Sequence, residues 1–314
     1  MAKIKIISIV IPIFNERENI ATLYEQIDET LKKMPYRYEI IAINDGSDDG
    51  SAELLDQIKK KNKEIRVIHL VCNFGQTAAI MAGFDNAKGD VIVPIDADLQ
   101  NDPKDIPKLL AKLEEGYDVV SGWRKNRKDH VLKRNFLSNI ANKIISKVSG
   151  VKLHDYGCTL KAYRRSAVEF VKLYGEMHRL IPIYANSSGA KVTEIPVAHH
   201  KRKYGKSKYG MERIFKVLLD LLVIRFLSSY LKKPIYLFGG IGIILMMGSF
   251  LAFFFALYLK YFQSVSLIQT PLPLFSAMTF ITSIMCFLMG ILAEMIMRTY
   301  FESQNKKSYI IKQI

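Results

Sequence analysis

The sequence predicts an α/β protein, a mostly parallel sheet flanked by helices, followed by two membrane-spanning helices. Three observations carry that class. Short β-rich runs alternate with helix-period runs over residues 5–122. Several of those runs are apolar throughout, as strands buried on both faces require. Finally, no Asp, Glu, Lys or Arg occurs between Lys233 and Lys260, nor between Lys260 and Glu294. At a rise of about 1.5 Å per residue, either gap can cross a hydrocarbon core of roughly 30 Å. Two buried helices of a soluble protein would also be apolar, but soluble cores seldom need two such runs side by side.

Taken in order, residues 6–11 read as a first strand. Ile20, Leu23, Tyr24, Ile27 and Leu31 then share one helical face. Residues 38–44 form a second strand, 51–61 a second helix and 67–71 a third strand. A helix over 76–87, an apolar strand over 91–95, a helix over 103–115 and a strand over 119–122 follow. A basic segment leads into a helix around 131–148 and a shorter α+β stretch up to His200. Residues 211–231 are helical and apolar over much of their circumference, which fits a membrane-interface helix and an ordinary packed helix equally. The chain therefore divides into a globular domain over 1–210, an amphipathic helix over 211–232 and a membrane domain over 233–314. The spans are expected near 235–259 and 271–293, with a tail beyond.

The formal net charge is +15. Cations crowd residues 124–133, 199–208 and the tail around Lys306. Two of these stretches adjoin the expected spans, which favours lipid headgroups and lipid phosphates over a nucleic-acid groove. No common nucleic-acid motif is present, so nucleic acid is not an expected partner. Cys72, Cys158 and Cys286 form no CxxC pair and no zinc-ligand spacing, as suits a reducing, cytosol-facing protein. Residues 1–14 are apolar but short and lack a small-residue cleavage site, so they are expected to be a buried strand, not a signal peptide. The loop between the spans holds no cation beyond Lys260 at its edge, whereas the tail carries Lys306, Lys307 and Lys312. Both termini are thus expected on the cytosolic side of a cytoplasmic membrane.

In open α/β sheets, ligands bind beyond the carboxyl ends of the strands. Polar clusters occupy those turns here: Phe14-Asn15-Glu16, the loop from Asn44 to Gly50, Asn73-Phe74-Gly75 and Asp96-Ala97-Asp98-Leu99-Gln100. A lone DxD arises by chance in many loops, but its place after a buried strand, with Gln100 two residues on, makes it a stronger signal. Hard oxygen ligands suit Mg²⁺ or Mn²⁺, which can bridge a diphosphate and neutralise charge on a departing nucleotide. Capping of the next helix is better served by Asn101 or Asp102, just before Pro103. The Asn44–Gly50 loop mimics half an EF-hand, but its twelfth position is Asp56 and a strand precedes it, so calcium is not expected there. There is no GxGxxG after the first strand, no GxxxxGK[ST] and no GxSxG elbow.

Val10-Ile11-Pro12-Ile13-Phe14-Asn15-Glu16-Arg17-Glu18-Asn19, the Asn44-Asp45-Gly46-Ser47 turn and Asp96-Ala97-Asp98-Leu99-Gln100 together resemble family 2 glycosyltransferases of the GT-A (nucleotide-diphospho-sugar transferase) fold. More narrowly, the chain is similar to polyprenyl-phosphate glycosyltransferases of the dolichyl-phosphate mannose synthase type with two C-terminal transmembrane helices. The resemblance covers essentially the whole chain and is strongest over 5–210. It implies that Pro12, Asn15, Glu16, Asp45 and Asp96 hold the nucleotide, while Asp96, Asp98 and Gln100 organise the metal and diphosphate. Arg124, Arg134, Ser138 and Arg202 would receive the acceptor phosphate, with Asp155 as an acidic residue near the acceptor. Arg134 and Ser138 are four apart, hence neighbours on a helical face, and arginine's planar fork matches phosphate oxygens. Cys72 and Lys161 depart from the arginines many relatives carry at those places.

The reaction so implied is an inverting transfer of a sugar from a nucleotide-sugar to a polyprenyl phosphate, undecaprenyl or dolichyl. A UDP-sugar such as UDP-glucose is preferred; GDP-mannose and a homo-oligomer stay open. Asp98 is expected to serve the metal, and Asp155 to orient acceptor or metal. A processive polysaccharide synthase usually carries QxxRW and more spans, and the single Trp, Trp123, follows Gly122. A membrane-surface transferase acting on a glycan or protein, and a membrane scaffold that binds nucleotide-sugars without turnover, are the competing expectations.

Overall fold

The computed structural model describes residues 4–125, 142, 145–146, 149–169, 171, 177–202 and 235–303. The helix expected around 131–148, with Arg134 and Ser138, lies almost wholly outside them. So do the juxtamembrane helix over 211–232 and the lysines of the tail. The chain forms two compact units, Met1–Leu222 and Val223–Ile314.

In the first unit, strands β1 (Ile6–Ile13), β2 (Arg37–Asn44), β3 (Ile65–His69) and β4 (Val91–Pro94) alternate with helices α1 (Arg17–Lys32), α2 (Ser51–Lys61) and α3 (Gln76–Asn86). A single 3₁₀ turn, Pro103–Asp105, opens α4 (Ile106–Glu114), and β5 (Val119–Trp123) follows. As expected, Asp102 caps this turn, its Oδ1 accepting from Lys104 N at 2.9 Å with Pro103 next in the chain. Later come β6 (Lys161–Arg164), α5 (Arg165–Val168), a 3₁₀ turn at Met177–Leu180, α6 (Ile181–Ser187) and β7 (Val192–Pro196).

The seven strands form one sheet in the order β3-β2-β1-β4-β6-β5-β7. All neighbours pair in parallel except β6, which is antiparallel to both β4 and β5. The reversal of β6 has a consequence for chemistry. A reversed strand begins where its neighbours end, so the chain entering β6 at Lys161 shares a rim with the ends of β4 and β5. The parallel β7 brings the chain after Pro196 to that rim as well.

One face of the sheet packs Ile7, Ile9, Ile11 and Ile13 against Leu23, Ile27 and Leu31 of α1 and Leu109, Leu110 and Leu113 of α4. Each such side chain, once buried, contributes on the order of 2 kcal/mol before chain entropy is counted. On the other face α3 lies close over β1 and β2. A Cβ at Gly83 would stand 2.2 Å from Val10, so only glycine permits that approach. Strand boundaries differ from expectation by more than one residue in two places. β1 continues to Ile13, because Pro12 still pairs in register with Ile43. β3 lies two residues earlier than the apolar run, and Val71 is 92% exposed where the chain leaves the sheet.

The second unit is a hairpin of α7 (Ile235–Phe262) and α8 (Leu272–Ser303). Only 17% and 22% of their most apolar stretches are covered within the unit, so residues such as Leu251, Phe254, Ile281 and Leu292 face outward and require an apolar surrounding. Small residues set the seam. Ser249 Oγ donates to Ser276 O at 2.8 Å, Ser276 Oγ donates back to Ser249 O at 3.0 Å, and Ser283 Oγ donates to Gly242 O at 2.8 Å. Close helix approach through Gly and Ser, with hydroxyls bonded across the seam, suits a hydrocarbon environment.

Candidate active site

The turns after β1 and β2 lock together through side chains. Asn15 adopts φ +53°, a left-handed conformation that asparagine tolerates better than most residues. Its Nδ2 donates to Asp48 Oδ1 at 2.6 Å, and Asp48 N donates to Asn15 Oδ1 at 3.0 Å. Arg17 N donates to Asp49 Oδ2 at 3.0 Å. The buried Asp45 spans to the next turn, accepting from Phe74 N at 2.8 Å and Gly75 N at 2.9 Å. Burial pushes the Asp45 carboxyl up, and these two amides oppose that rise. The acidic side chains of this loop are thereby committed to the protein's own amides. Gly46 has φ +69°, and a Cβ there would stand 2.5 Å from the Cys72 carbonyl carbon. Cys72 itself is exposed. Pro12 lies one residue short of the end of β1, half-buried, beside this cluster.

At the end of β4, Asp96 Oδ1 accepts from Gln76 Nε2 at 2.6 Å and Oδ2 from Thr159 Oγ1 at 2.7 Å. Burial, together with the charge of Asp98, pushes the Asp96 carboxyl up to about 6; Thr159, Arg124 and Arg179 oppose this. Leu99 takes φ +60°, and the turn closes with Gln100 N donating to Asp98 Oδ1 at 3.1 Å. A left-handed leucine costs on the order of 1–2 kcal/mol, and such strain clusters at functional sites. Asp98 Oδ2 faces Arg202 Nη2 at 2.7 Å, and Arg202 Nη1 lies 3.4 Å from Glu16 Oε1. Glu16 Oε2 accepts from Asn19 Nδ2 at 2.6 Å.

Arg202 reaches this place because the strand leaving β7 zips onto the β4 turn. Ala198 N donates to Asp105 Oδ2 at 2.6 Å, Asn101 and His199 form an antiparallel bridge, and His200 N donates to Gln100 O at 2.9 Å. The sequence expectation grouped Arg202 with the acceptor side. In the structure its guanidinium lies on the carboxylates assigned to nucleotide and metal.

The loop entering β6 completes the rim. Asp155, 2% exposed, takes Arg124 in a forked pair, Nε to Oδ2 at 2.7 Å and Nη2 to Oδ1 at 3.1 Å, and also accepts from Gly157 N at 3.0 Å. Lys161 is buried and donates to Tyr156 O at 3.1 Å and to Cys158 O, holding the loop's shape. Burial pulls the Lys161 ammonium down to about 8. Behind the loop, His178 Nδ1 and Thr77 Oγ1 meet at 2.6 Å, and Arg179 lines a small cavity with Pro94, Gly157 and Thr159.

The structure thus brings Asp96, Asp98, Gln100, Asp155, Arg124, Arg202 and Glu16 to one rim, with Asp45, Asn15 and Pro12 in the adjoining turns. Arg134 and Ser138 lie outside the described residues. Gln76, Thr159, Lys161, His178 and Arg179 were not singled out as site residues from the sequence. Gln76 directly follows a polar strand-end turn, which was a usable signal. Arg179 offered only a lone cation beside an apolar run.

The residues present fit a divalent cation. The charge of Asp98 raises the cost of ionising Asp96, and the chain already sets a cation, Arg202, against Asp98. Among the described residues no group of three His, Cys, Asp or Glu side chains could hold a metal alone. Mg²⁺ and its kin commonly take one or two carboxylates and complete their shell with substrate phosphates.

Residues 8–171 match the profile described as Glycosyl transferase family 2. The chain belongs to glycosyl transferase family 2. It is 42% identical over 317 residues to dodecaprenyl-phosphate galacturonate synthase of Rhizobium johnstonii, covering 98% of this chain and 92% of that one. It is 35% identical over 314 residues to undecaprenyl-phosphate 4-deoxy-4-formamido-L-arabinose transferase of Proteus mirabilis, covering 99% and 94%. This glycosyltransferase also shares its fold with glucosyl-3-phosphoglycerate synthase of Mycobacterium tuberculosis, solved with Mn²⁺, UDP and phosphoglyceric acid. That likeness has a TM-score of 0.54 at 15% identity and covers 71% of this chain and 78% of the other. The GT-A-like sheet with flanking helices expected from the sequence is therefore the fold of this glycosyltransferase, with β6 as the one reversed strand among the described residues.

Proposed function

We propose that this glycosyltransferase moves a sugar from a nucleotide-sugar to a polyprenyl phosphate at the membrane surface, with inversion at the anomeric carbon. One observation carries the reading: the Asp96–Asp98 carboxylates and the Asp155-braced Arg124 share one sheet rim, so donor and anionic acceptor can meet there. The named activities of the Rhizobium and Proteus relatives support the acceptor class.

Asp96, Asp98 and Gln100 would hold Mg²⁺ or Mn²⁺. When bound, such an ion neutralises charge gathering on the departing diphosphate. Pro12, Asn15, Glu16 and Asp45 would cradle the nucleoside. An acceptor phosphate oxygen forms the new bond to the anomeric carbon, and the nucleoside diphosphate departs with the electron pair of the broken one. A phosphate monoester has its second pKa near ~6, so the nucleophile needs no strong base at neutral pH. That frees Asp155 to act on Arg124. It takes Nε and Nη2, fixes the guanidinium plane and leaves the Nη1 edge outside the pair to meet the acceptor, alongside Arg134 and Ser138.

A UDP-sugar is the favoured donor, with GDP-mannose as the competitor. UDP-glucose and UDP-galacturonate belong in the first panel. Both hairpin helices would cross a cytoplasmic membrane and leave the termini cytosolic, since residues 263–271 contain no Lys or Arg. The test is to incubate the full chain with labelled nucleotide-sugars, Mn²⁺ and undecaprenyl phosphate, then extract lipid. Label in the organic phase that depends on the lipid acceptor is expected. Label only on a water-soluble glycan or protein would overturn the reading.

A further inference from the structure

One residue back from the Asp155–Arg124 pair, the same two segments touch again. Trp123 precedes Arg124 at the end of β5, and His154 precedes Asp155 in the loop that enters β6. Their rings stack, with centroids 4.4 Å apart and planes 19° from parallel. Strand and loop therefore meet in two consecutive rungs, one aromatic and one ionic. A carboxylate from β7 reaches the same histidine. β7 pairs with β5 in parallel and sets Glu194 opposite Ser121. Glu194 Oε2 accepts from His154 N at 2.8 Å, and Oε1 accepts from His154 Nδ1. On the carbonyl side, Asn142 Nδ2 donates to His154 O at 2.8 Å.

Burial does not explain these contacts. The His154 side chain is 68% exposed, so its ring adds little to a core, whereas the Glu194 side chain is only 14% exposed. A carboxylate withdrawn from water needs donors to offset its lost hydration. Both oxygens of this one go to a single exposed residue. What sets His154 apart is its place in the chain. Its backbone leads directly into Asp155, whose carboxylate sets the plane of the Arg124 guanidinium. With the N–H, the carbonyl and the ring of His154 all held, the peptide that carries Asp155 has little freedom to turn. Side chains hold a direction as well as a distance when their own supports are fixed in this way.

We propose that Glu194 and His154 are positioning residues for the transfer: they fix Asp155, and through it the Arg124 guanidinium, in the orientation that receives the anionic acceptor. Both act through Asp155, not on the substrate. The identity of that acceptor rests on the sugar-to-lipid reading, but the brace itself does not. Without the brace, Arg124 keeps its charge and can still meet an anion, yet it samples other orientations. Weaker acceptor binding, and not slower chemistry on bound acceptor, is the consequence. Donor binding, which that reading assigns to the turns after β1, β2 and β4, stays unchanged.

The experiment uses the full chain in nanodiscs, with Glu194→Gln, His154→Phe and His154→Asn. Glutamine keeps one acceptor oxygen and loses the charge. Phenylalanine keeps the stack on Trp123 and loses the ring donor, while asparagine keeps a donor near the place of Nδ1 and loses the stack. The quantities read are KM for undecaprenyl phosphate, kcat, the affinity for UDP with Mn²⁺ by calorimetry, and amide hydrogen exchange around Gly157, whose N–H donates to Asp155 Oδ1. Loss of one hydrogen bond to a charged group bounds the effect at roughly tenfold. A rise in lipid KM beyond about twofold and up to about tenfold in Glu194→Gln and His154→Phe, with kcat and UDP affinity held within about twofold, supports the brace. His154→Asn then recovers most of that KM. A general weakening of the fold moves lipid KM, kcat and UDP affinity together, and that result overturns the positioning role. So does a lipid KM that stays within about twofold in every variant, while lipid product from the unmodified chain keeps the sugar-to-lipid reading intact. If Glu194→Gln does not fold, the two His154 variants decide. No lipid product from the unmodified chain sinks that reading, and amide exchange then decides the brace. Exchange around Gly157 about tenfold faster in His154→Phe, and restored in His154→Asn, keeps it; equal exchange in these two variants and the unmodified chain removes it.

Discussion

Replacing Arg202 with methionine should tighten the binding of Mn²⁺ to the nucleotide-free protein. Arg202 Nη2 stands 2.7 Å from Asp98 Oδ2, and Nη1 stands 3.4 Å from Glu16 Oε1. A cation that takes Asp98 must first displace this guanidinium. A hydrogen bond between charged groups contributes about 1.5–3 kcal/mol, and the lower end applies where solvent reaches the pair. The Arg202 side chain is 20% exposed and that of Asp98 is 11% exposed, so the lower end is the right choice. Roughly 1.4 kcal/mol corresponds to a tenfold change in affinity. Methionine keeps most of the side chain's length and apolar packing while removing the charge, so the loop zipped onto Gln100 and Asn101 should hold its place. The assay is electron paramagnetic resonance titration of free Mn²⁺ against the full chain in nanodiscs, without nucleotide. A Kd about tenfold lower in Arg202→Met is expected, with Arg202→Lys in between and Asp98→Asn losing binding in either background. Unchanged or weaker Mn²⁺ binding in Arg202→Met would refute the idea that this arginine stands where the metal must go.

Three further outcomes follow from the same rim. Thr159→Val removes one of the two donors that favour ionised Asp96, so UDP·Mn²⁺ affinity should fall by about fivefold, the worth of roughly 1 kcal/mol, as read by calorimetry at pH 7. Gly46→Ala must hold a left-handed backbone and drive its methyl into the Cys72 carbonyl carbon, so the thermal midpoint of the catalytic unit should drop by several degrees and UDP binding with it. Lys161 titrates near 8 in the folded chain against 10.5 when unfolded, so the unfolded chain holds the extra proton between those values. Stability should therefore rise with pH across that window in the parent chain relative to Lys161→Met; parallel pH curves for the two would contradict this.

The βα alternation was legible because strand and helix periods are local properties of the chain, and the boundaries fell within a few residues. The rule that ligands sit at carboxyl ends of strands then pointed to Asp45, Asp96 and Asp98 before any coordinates. The reversal of β6 was not legible. Residues 161–164 are four residues long and carry nothing that sets strand direction, which depends on what β4 and β5 offer as partners. With the reversal unseen, the role of Thr159 at Asp96 and the nearness of Arg179 to Gly157 stayed hidden too.

By itself, the sequence determined the doubly covered sheet, the two long charge-free runs and the acidic turn after β4, since each follows from side-chain chemistry repeating over short distances. Only the tertiary structure decided which cations meet which carboxylates. Arg202 lies 104 residues from Asp98, and Arg124 lies 31 from Asp155. Such pairs are chosen by the order and direction of strands, because electrostatic partners are fixed by proximity in space and the chain leaves no local mark of it.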